Sequence, residues 1–359
     1  MNNWPLHGGD LISAQAHYTG TLLDFSVNLN PLGMPPAVAQ AAREGVEASV
    51  SYPDPQCRAL RRAIGEMDGV PTTYIFCGNG AADLLLRLAL TIRPKRAMVM
   101  APTFGEYERA LHVVGSKVFY HYLKPERQFD LEEGFLRALR PDLDLLVLCN
   151  PNNPTGRLIP PDFLEKIVAF CERHQIWLLV DESFLLLTDG GANWGLVTQL
   201  EQCPHLMVLR SMTKTWAMPG LRLGYLLSSN PRLTAELADC GQPWAVSEPA
   251  QRAGVAACHC LSWAEAGRRM IQSERPKLQR GLEARGFEVT DSVTNYLLFR
   301  GIRKEHLQKQ LLEQGILVRS CANFRGLGPE WYRVAVRSGA ENQRLLQTLT
   351  RLEEENHGT

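Results

Sequence analysis

No hydrophobic run in the chain reaches the roughly 20 residues that a membrane-spanning helix needs, so no membrane partner is expected. Charge of one sign is not in excess either. Lys and Arg total 38, Asp and Glu total 38, and nothing in the overall field favours nucleic acid or an anionic surface. Residues 1–10 lack a basic stretch followed by an apolar core, the pattern of an export signal. The nine cysteines lack paired metal-ligand spacing, and the close pair in Cys258-His259-Cys260 reads as thiols buried in a small-residue helix. These absences lead us to expect a reduced, cytoplasmic protein with no metal. Internal repeats and low-complexity stretches are missing as well. What remains is a composition of 45% hydrophobic and 21% charged residues, ordinary for a globular enzyme, on a chain of 359 residues that can bury a large core.

Strand and helix patterns alternate along much of the chain. Segments 96–100, 143–149 and 176–180 are apolar strands, and 161–174 is an amphipathic helix opened by Pro160-Pro161-Asp162. Uninterrupted apolar strands fit an α/β fold with a mostly parallel central sheet and helices on both faces. Beyond a boundary near Gly241-Gln242-Pro243-Trp244, a long helical pattern at 263–285 with a kink expected before Pro276 leads into strands and helices of an α+β unit. The expected organisation is an arm with part of a small domain at 1–35, a large domain at 36–242 and a small domain at 243–359. Residues 1–20 read as an extended arm.

Candidate chemistry gathers at strand ends. Lys214 follows an apolar strand at 207–209 and precedes another at 224–228, so it is expected in a connection, with Arg222 eight residues on in Pro219-Gly220-Leu221-Arg222. A lysine amine is a nucleophile near neutrality only if burial or nearby cations lower its proton affinity. Arg222 supplies such a cation and a fork for a phosphate, and Ser211 adds a hydroxyl. A surface Lys-Arg pair is the plainer alternative. The segment Gly78-Asn79-Gly80-Ala81-Ala82 is a glycine turn opening a helix, which leaves the amides of Ala81 and Ala82 facing a possible anion, although many such turns serve geometry alone. It has neither the third glycine of a dinucleotide fingerprint nor the lysine of a nucleotide P-loop. One apolar strand ends in Asn150-Pro151-Asn152-Asn153-Pro154-Thr155-Gly156, and the next delivers Asp181, which taken alone reads as a helix cap. Asn28 reads as a turn former, and Tyr52, held extended by Pro53, projects from its loop.

Together and in this order, the glycine turn, Asn153-Pro154-Thr155-Gly156, Asp181-Glu182-Ser183-Phe184 and Ser211-Met212-Thr213-Lys214 with Arg222 resemble the aspartate-aminotransferase-like (fold-type I) pyridoxal-phosphate superfamily. The resemblance covers almost the whole chain. It implies pyridoxal 5'-phosphate as cofactor, held covalently by Lys214, with Asp181 on its ring nitrogen, Asn153 on its ring hydroxyl and Phe104 stacked on its face. Ala81, Ala82, Ser211 and Arg222 are then expected at its phosphate, with Tyr52 reaching it from the other subunit of a homodimer. The chain departs from many members at Phe184, where a tyrosine would hydrogen-bond the cofactor.

Within the superfamily three stretches carry a closer resemblance: His7-Gly8-Gly9 with 24–33, Val318-Arg319-Ser320-Cys321-Ala322-Asn323, and 332–338. They resemble the threonine-phosphate decarboxylases of cobalamin biosynthesis, with histidinol-phosphate aminotransferases as neighbours and the alternative activity. By that resemblance the substrate is a small phosphorylated amino acid contacted by His7, Gly8, Asn28, Asn153, Arg319 and Arg333. A regulator built on the same fold would carry an appended DNA-binding module or a degraded lysine site, and the sequence has neither.

Overall fold

The computed structural model describes residues 7–301 and 306–357. In chain order the first elements are α1 (Leu11–Gln15), β1 (Leu23–Asp24), α2 (Pro36–Ala48), α3 (Arg58–Asp68), β2 (Ile75–Gly78), α4 (Ala81–Ile92), β3 (Arg96–Ala101), α5 (Glu106–Val113) and β4 (Lys117–Tyr122). There follow α6 (Gly134–Ala138), β5 (Leu145–Cys149), α7 (Pro161–Arg173), β6 (Trp177–Asp181), β7 (Leu206–Ser211), α8 (Met212–Thr215), β8 (Gly224–Leu227), α9 (Pro231–Asp239), α10 (Glu248–Cys258) and α11 (Leu261–Glu283). The chain closes with β9 (Glu288–Val289), β10 (Tyr296–Arg300), α12 (Leu307–Glu313), β11 (Ile316–Leu317), β12 (Arg319–Ser320), β13 (Trp331–Ala335) and α13 (Gly339–His357).

Seven strands form the main sheet in the order β2-β8-β7-β6-β5-β3-β4. All neighbours are parallel except β8, which runs antiparallel to β2 and β7. Alternation along each strand feeds two cores. Leu146, Leu148, Leu178 and Val180 point to the face covered by α3, α7 and α10, whereas Leu145, Val147 and Leu179 point to the face covered by α4, α5 and α9. Both faces are covered, which is why these strands read as unbroken apolar runs. From β3 the chain steps outward to β4 and then returns to the other side of β3 as β5. That reversal opens a crevice beyond the carboxyl ends of β3, β5 and β6.

A smaller antiparallel sheet, β12-β13-β10-β9, and the parallel pair β1-β11 share a separate core that includes Phe25, Leu278, Leu282, Phe299, Tyr332 and Val334. Helix α10 lies beyond residue 243 yet packs Ala250, Ala253, Ala257 and Cys258 into the larger core, and its contact with α2 is close. A methyl on Gly45 would meet Pro249 Cα at 2.5 Å. Leu278 and Leu282, late on α11, belong to the smaller core, so we place the division of the chain within α11 instead of at 243.

Two local expectations differ from the structure. The arm expected to be extended contains the single turn α1, because Asp10 caps it by accepting the Ser13 N–H at 3.0 Å. Lys214 is in a helical turn rather than an open connection, because Ser211 ends β7 in an extended conformation and its Oγ accepts the Thr213 N–H at 3.3 Å.

Candidate active site

A cleft of about 620 Å³ lies at this crevice, lined by strand ends of the main sheet and by residues of the smaller sheet. It collects every residue expected at the site except Tyr52. Tyr52 is 81% exposed on the surface of its own chain, its ring 4.9 Å from that of Trp244.

Lys214 projects from α8 into the cleft. Withdrawal from water, the nearby charges of Arg333 and Arg222 and an opposing pull from Asp181 bring its amine down to about 8. The uncharged form, the one a nucleophile requires, is therefore a minority near pH 7 and about half of the population near pH 8, far more than for an ordinary lysine. The amine also lies 5.8 Å from the centre of the Phe184 ring, which itself packs edge-on to Tyr296.

Asp181 ends β6 and is buried. Burial raises its proton affinity, and the Ser183 N–H at 2.9 Å, the Tyr107 hydroxyl at 2.6 Å and the charge of Lys214 oppose that rise. Phe104, in the connection after β3, stands edge-on to Tyr107 with ring centres 5.6 Å apart.

Hydrogen-bond donors and a cation from three segments form a cradle on the cleft wall. Arg222 follows the Pro219–Leu221 turn with φ of 57°, and its Nη1 donates to the Pro219 carbonyl at 3.0 Å. A methyl on Gly80 would meet Arg222 Nη2 at 2.7 Å, and one on Gly224 would meet the Ala81 nitrogen at 3.1 Å. Gly80, with φ of 83°, caps α4 without a side chain, so the amides of Ala81 and Ala82 are not blocked by a capping group. Ser211, Ala81, Ala82 and Arg222 thus place a hydroxyl, two amides and a guanidinium on one wall of the cleft.

The smaller sheet contributes two arginines to the cleft. Arg319 and Arg333 are direct partners across the β12–β13 ladder, and both are buried. Burial and the charge of Arg333 lower Arg319 to about 10, and burial lowers Arg333 as well. Arg333 donates to the Asn153 amide oxygen and, at 3.0 Å, to the Ser26 carbonyl, while Arg319 donates to Asn323 at 2.8 Å. Asn28 is buried beside them, and neither its amide oxygen nor its amide nitrogen has a hydrogen-bond partner among the described residues. His7 and Gly8 close the cleft from the arm. The His7 ring bonds Glu106 at 2.9 Å, Gly9 N–H bonds Ser26 Oγ at 2.8 Å, and a methyl on Gly8 would meet the Ser26 carbonyl oxygen at 2.3 Å. The arm can lie this close because positions 8 and 9 are glycine.

Sequence reasoning missed Tyr107, Ser26, Glu106 and Asn323. Tyr107 sits three residues after Phe104 at the start of α5 and Asn323 four after Arg319, spacings that carry a signal only once the neighbouring residue is placed in the site.

A family described as aminotransferase class I and II matches residues 20–349. The chain is 39% identical over 349 residues to a threonine-phosphate decarboxylase of Salmonella typhimurium, covering 96% of this chain and 95% of that one. It is 29% identical over 362 residues, 98% of its own length, to a bifunctional adenosylcobalamin biosynthesis protein of Leptospira interrogans, of which it spans 41%. Among solved structures, the histidinol-phosphate aminotransferase of Clostridium acetobutylicum superposes with a TM-score of 0.86 at 28% identity, covering 93% of this chain and 100% of that one.

Proposed function

The chain belongs to the class I and II aminotransferase family, and on that premise we propose that it is a pyridoxal-phosphate-dependent decarboxylase. Its substrate is O-phospho-L-threonine and its products are (R)-1-amino-2-propanol phosphate and carbon dioxide. The product would serve as the aminopropanol linker in cobalamin biosynthesis, a role supported by the Leptospira relative's name.

The residues present fit the cofactor. An amine of low proton affinity at Lys214 suits its aldehyde, the buried carboxylate of Asp181 suits its ring nitrogen, and the cradle of Ser211, Arg222, Ala81 and Ala82 suits its phosphate. Phe104 is assigned to the ring face. The Asn153 side-chain oxygen is already occupied by Arg333, which leaves the amide N–H groups for the ring hydroxyl. When bound, the cofactor supplies an electron sink for whichever substrate bond stands perpendicular to its ring.

The chain's own residues select that bond. The observation that carries the reading is the pair of buried guanidiniums, Arg319 and Arg333, side by side on the β12–β13 ladder and lining the same cleft as the cradle. Two adjacent fixed cations match a dianionic phosphate better than a single carboxylate. These arginines would grip the phosphate, aided by His7, Gly8 and the Asn28 amide, which has no partner among the described residues, and the substrate carboxylate would then be left ungripped and free to be the group lost. An aminotransferase would instead hold the carboxylate and leave the C–H bond perpendicular to the ring. Phe184 offers no hydroxyl beside Lys214.

The homodimer is part of the same reading. Val46, Val50, Tyr52 and Trp244 are exposed, and a second copy covering them would bring Tyr52 to the neighbouring cradle. No helix among the described residues is long and apolar enough to cross a membrane, and we assign the protein to the cytoplasm.

The test is to load the protein with pyridoxal phosphate and supply O-phospho-L-threonine with and without 2-oxoglutarate. Carbon dioxide released without the oxo acid is the expected result. Turnover that needs 2-oxoglutarate and releases no carbon dioxide would instead identify an aminotransferase.

A further inference from the structure

We propose, resting on the reading above, that Tyr107 is a positioning residue for Asp181. Its hydroxyl aims that carboxylate at the cofactor's ring nitrogen and keeps their shared proton on the nitrogen.

The pair borders the cleft and is otherwise packed in the core. Tyr107 stands at the start of α5 and is 2% exposed, with Ala110 and Leu111 of the same helix in the core beside it. Its hydroxyl reaches Asp181 Oδ2 at 2.6 Å, while the other oxygen takes the Ser183 N–H at 2.9 Å. With one donor on each oxygen, the carboxyl plane has a single orientation. Cys149 lies directly opposite Asp181 in the β5–β6 register and borders the same hydroxyl, so the phenol is packed between the ends of these two strands.

The direction of donation is fixed as well. Burial and the neighbouring negative charge raise the phenol's proton affinity far above the usual range, so Tyr107 stays protonated and serves as the donor. Burial pulls Asp181 toward the neutral acid, and Tyr107 is one of the groups that oppose it. Removing the hydroxyl alone therefore shifts the balance towards a protonated carboxyl. The proton then leaves the ring nitrogen for Asp181, and the cofactor loses part of its capacity to draw electrons. A tyrosine serving only as filler would be replaced by phenylalanine without that consequence, because the ring and its edge-on contact with Phe104 remain.

Tyr107→Phe is compared with the wild-type protein, both loaded with pyridoxal phosphate carrying nitrogen-15 in the ring. The nitrogen resonance and the cofactor dissociation constant are measured without substrate. The expected result is a protonated-nitrogen resonance in the wild type that moves towards the unprotonated position in the variant, with cofactor binding weakened about tenfold. An unchanged resonance overturns the proposal, whether binding is unchanged or weaker, since weaker binding alone marks a packing role. A wild-type protein that takes up no cofactor overturns both this inference and the reading beneath it, whereas a loaded wild type with an unresponsive variant overturns this inference alone.

Discussion

Asp181, at the lysine end of the cleft, has a hydrogen bond on each carboxylate oxygen, whereas Asn28, at the arginine end, has none on either polar atom of its side chain among the described residues. The contrast extends to charge. Lys214 and Asp181 are opposite in sign and moderate each other, while Arg319 and Arg333 are alike, adjacent and buried, and the Nε of Arg333 lacks a partner among the described residues. One end is largely complete before any ligand arrives. The other is held in a costly arrangement that an anion would relieve, as expected of a site whose binding energy is kept for its substrate.

Breaking the complete end should abolish function. Lys214→Ala is expected to lose turnover and the visible absorbance of the covalently held cofactor, and a retained absorbance would contradict the assignment. The wild-type lysine sharpens the point through pH. Its proton affinity is depressed, so the rate of cofactor capture should rise with pH around a midpoint near 8, where an ordinary lysine would titrate near 10.5. The same sign makes the cofactor-free fold gain stability as pH rises through that window, because the unfolded chain binds the proton more tightly.

Breaking the unsatisfied end should separate binding from stability. Arg333→Ala is expected to weaken O-phospho-L-threonine binding by about 2–5 kcal/mol, while the melting temperature without ligand hardly falls, since a buried like charge has been removed. Kinetics unchanged from wild type would refute its role. Gly80→Ala tests the cradle: a methyl in the space of Arg222, at a backbone angle that favours glycine, should cost about 1–3 kcal/mol in cofactor affinity with substrate recognition otherwise intact. The smallest change is expected from Asn28→Ala. Its amide has no partner among the described residues, so substrate binding should weaken by about 1–2 kcal/mol with stability unaltered.

Legibility in the sequence divides along the same line. The lysine end lies at the carboxyl ends of sheet strands, so each residue is announced by an apolar run and a turn: Asp181 closing β6, Ser211 closing β7 with Lys214 just beyond it, Ala81 and Ala82 after the glycine turn that follows β2. The arginine end depends on register. Arg319 and Arg333 meet only when β12 and β13 pair across the intervening loop, and a local pattern cannot show that. The edge strand β4 was also missed, because Lys117–Tyr122 is only half-buried and shows neither a continuous apolar run nor a clean alternation. Tyr107 was hidden as an aromatic on a helix face, since its bond to Asp181 spans 74 residues. Resemblance, not patterning, pointed to Arg319, Arg333 and His7.

The most direct measurement is a structure of the protein with pyridoxal phosphate and O-phospho-L-threonine, trapped as a complex that cannot turn over. The account predicts the substrate phosphate against both Arg319 and Arg333, with the carboxylate standing out of the cofactor plane. A carboxylate paired with Arg333 and lying in that plane, with the phosphate elsewhere, would contradict it.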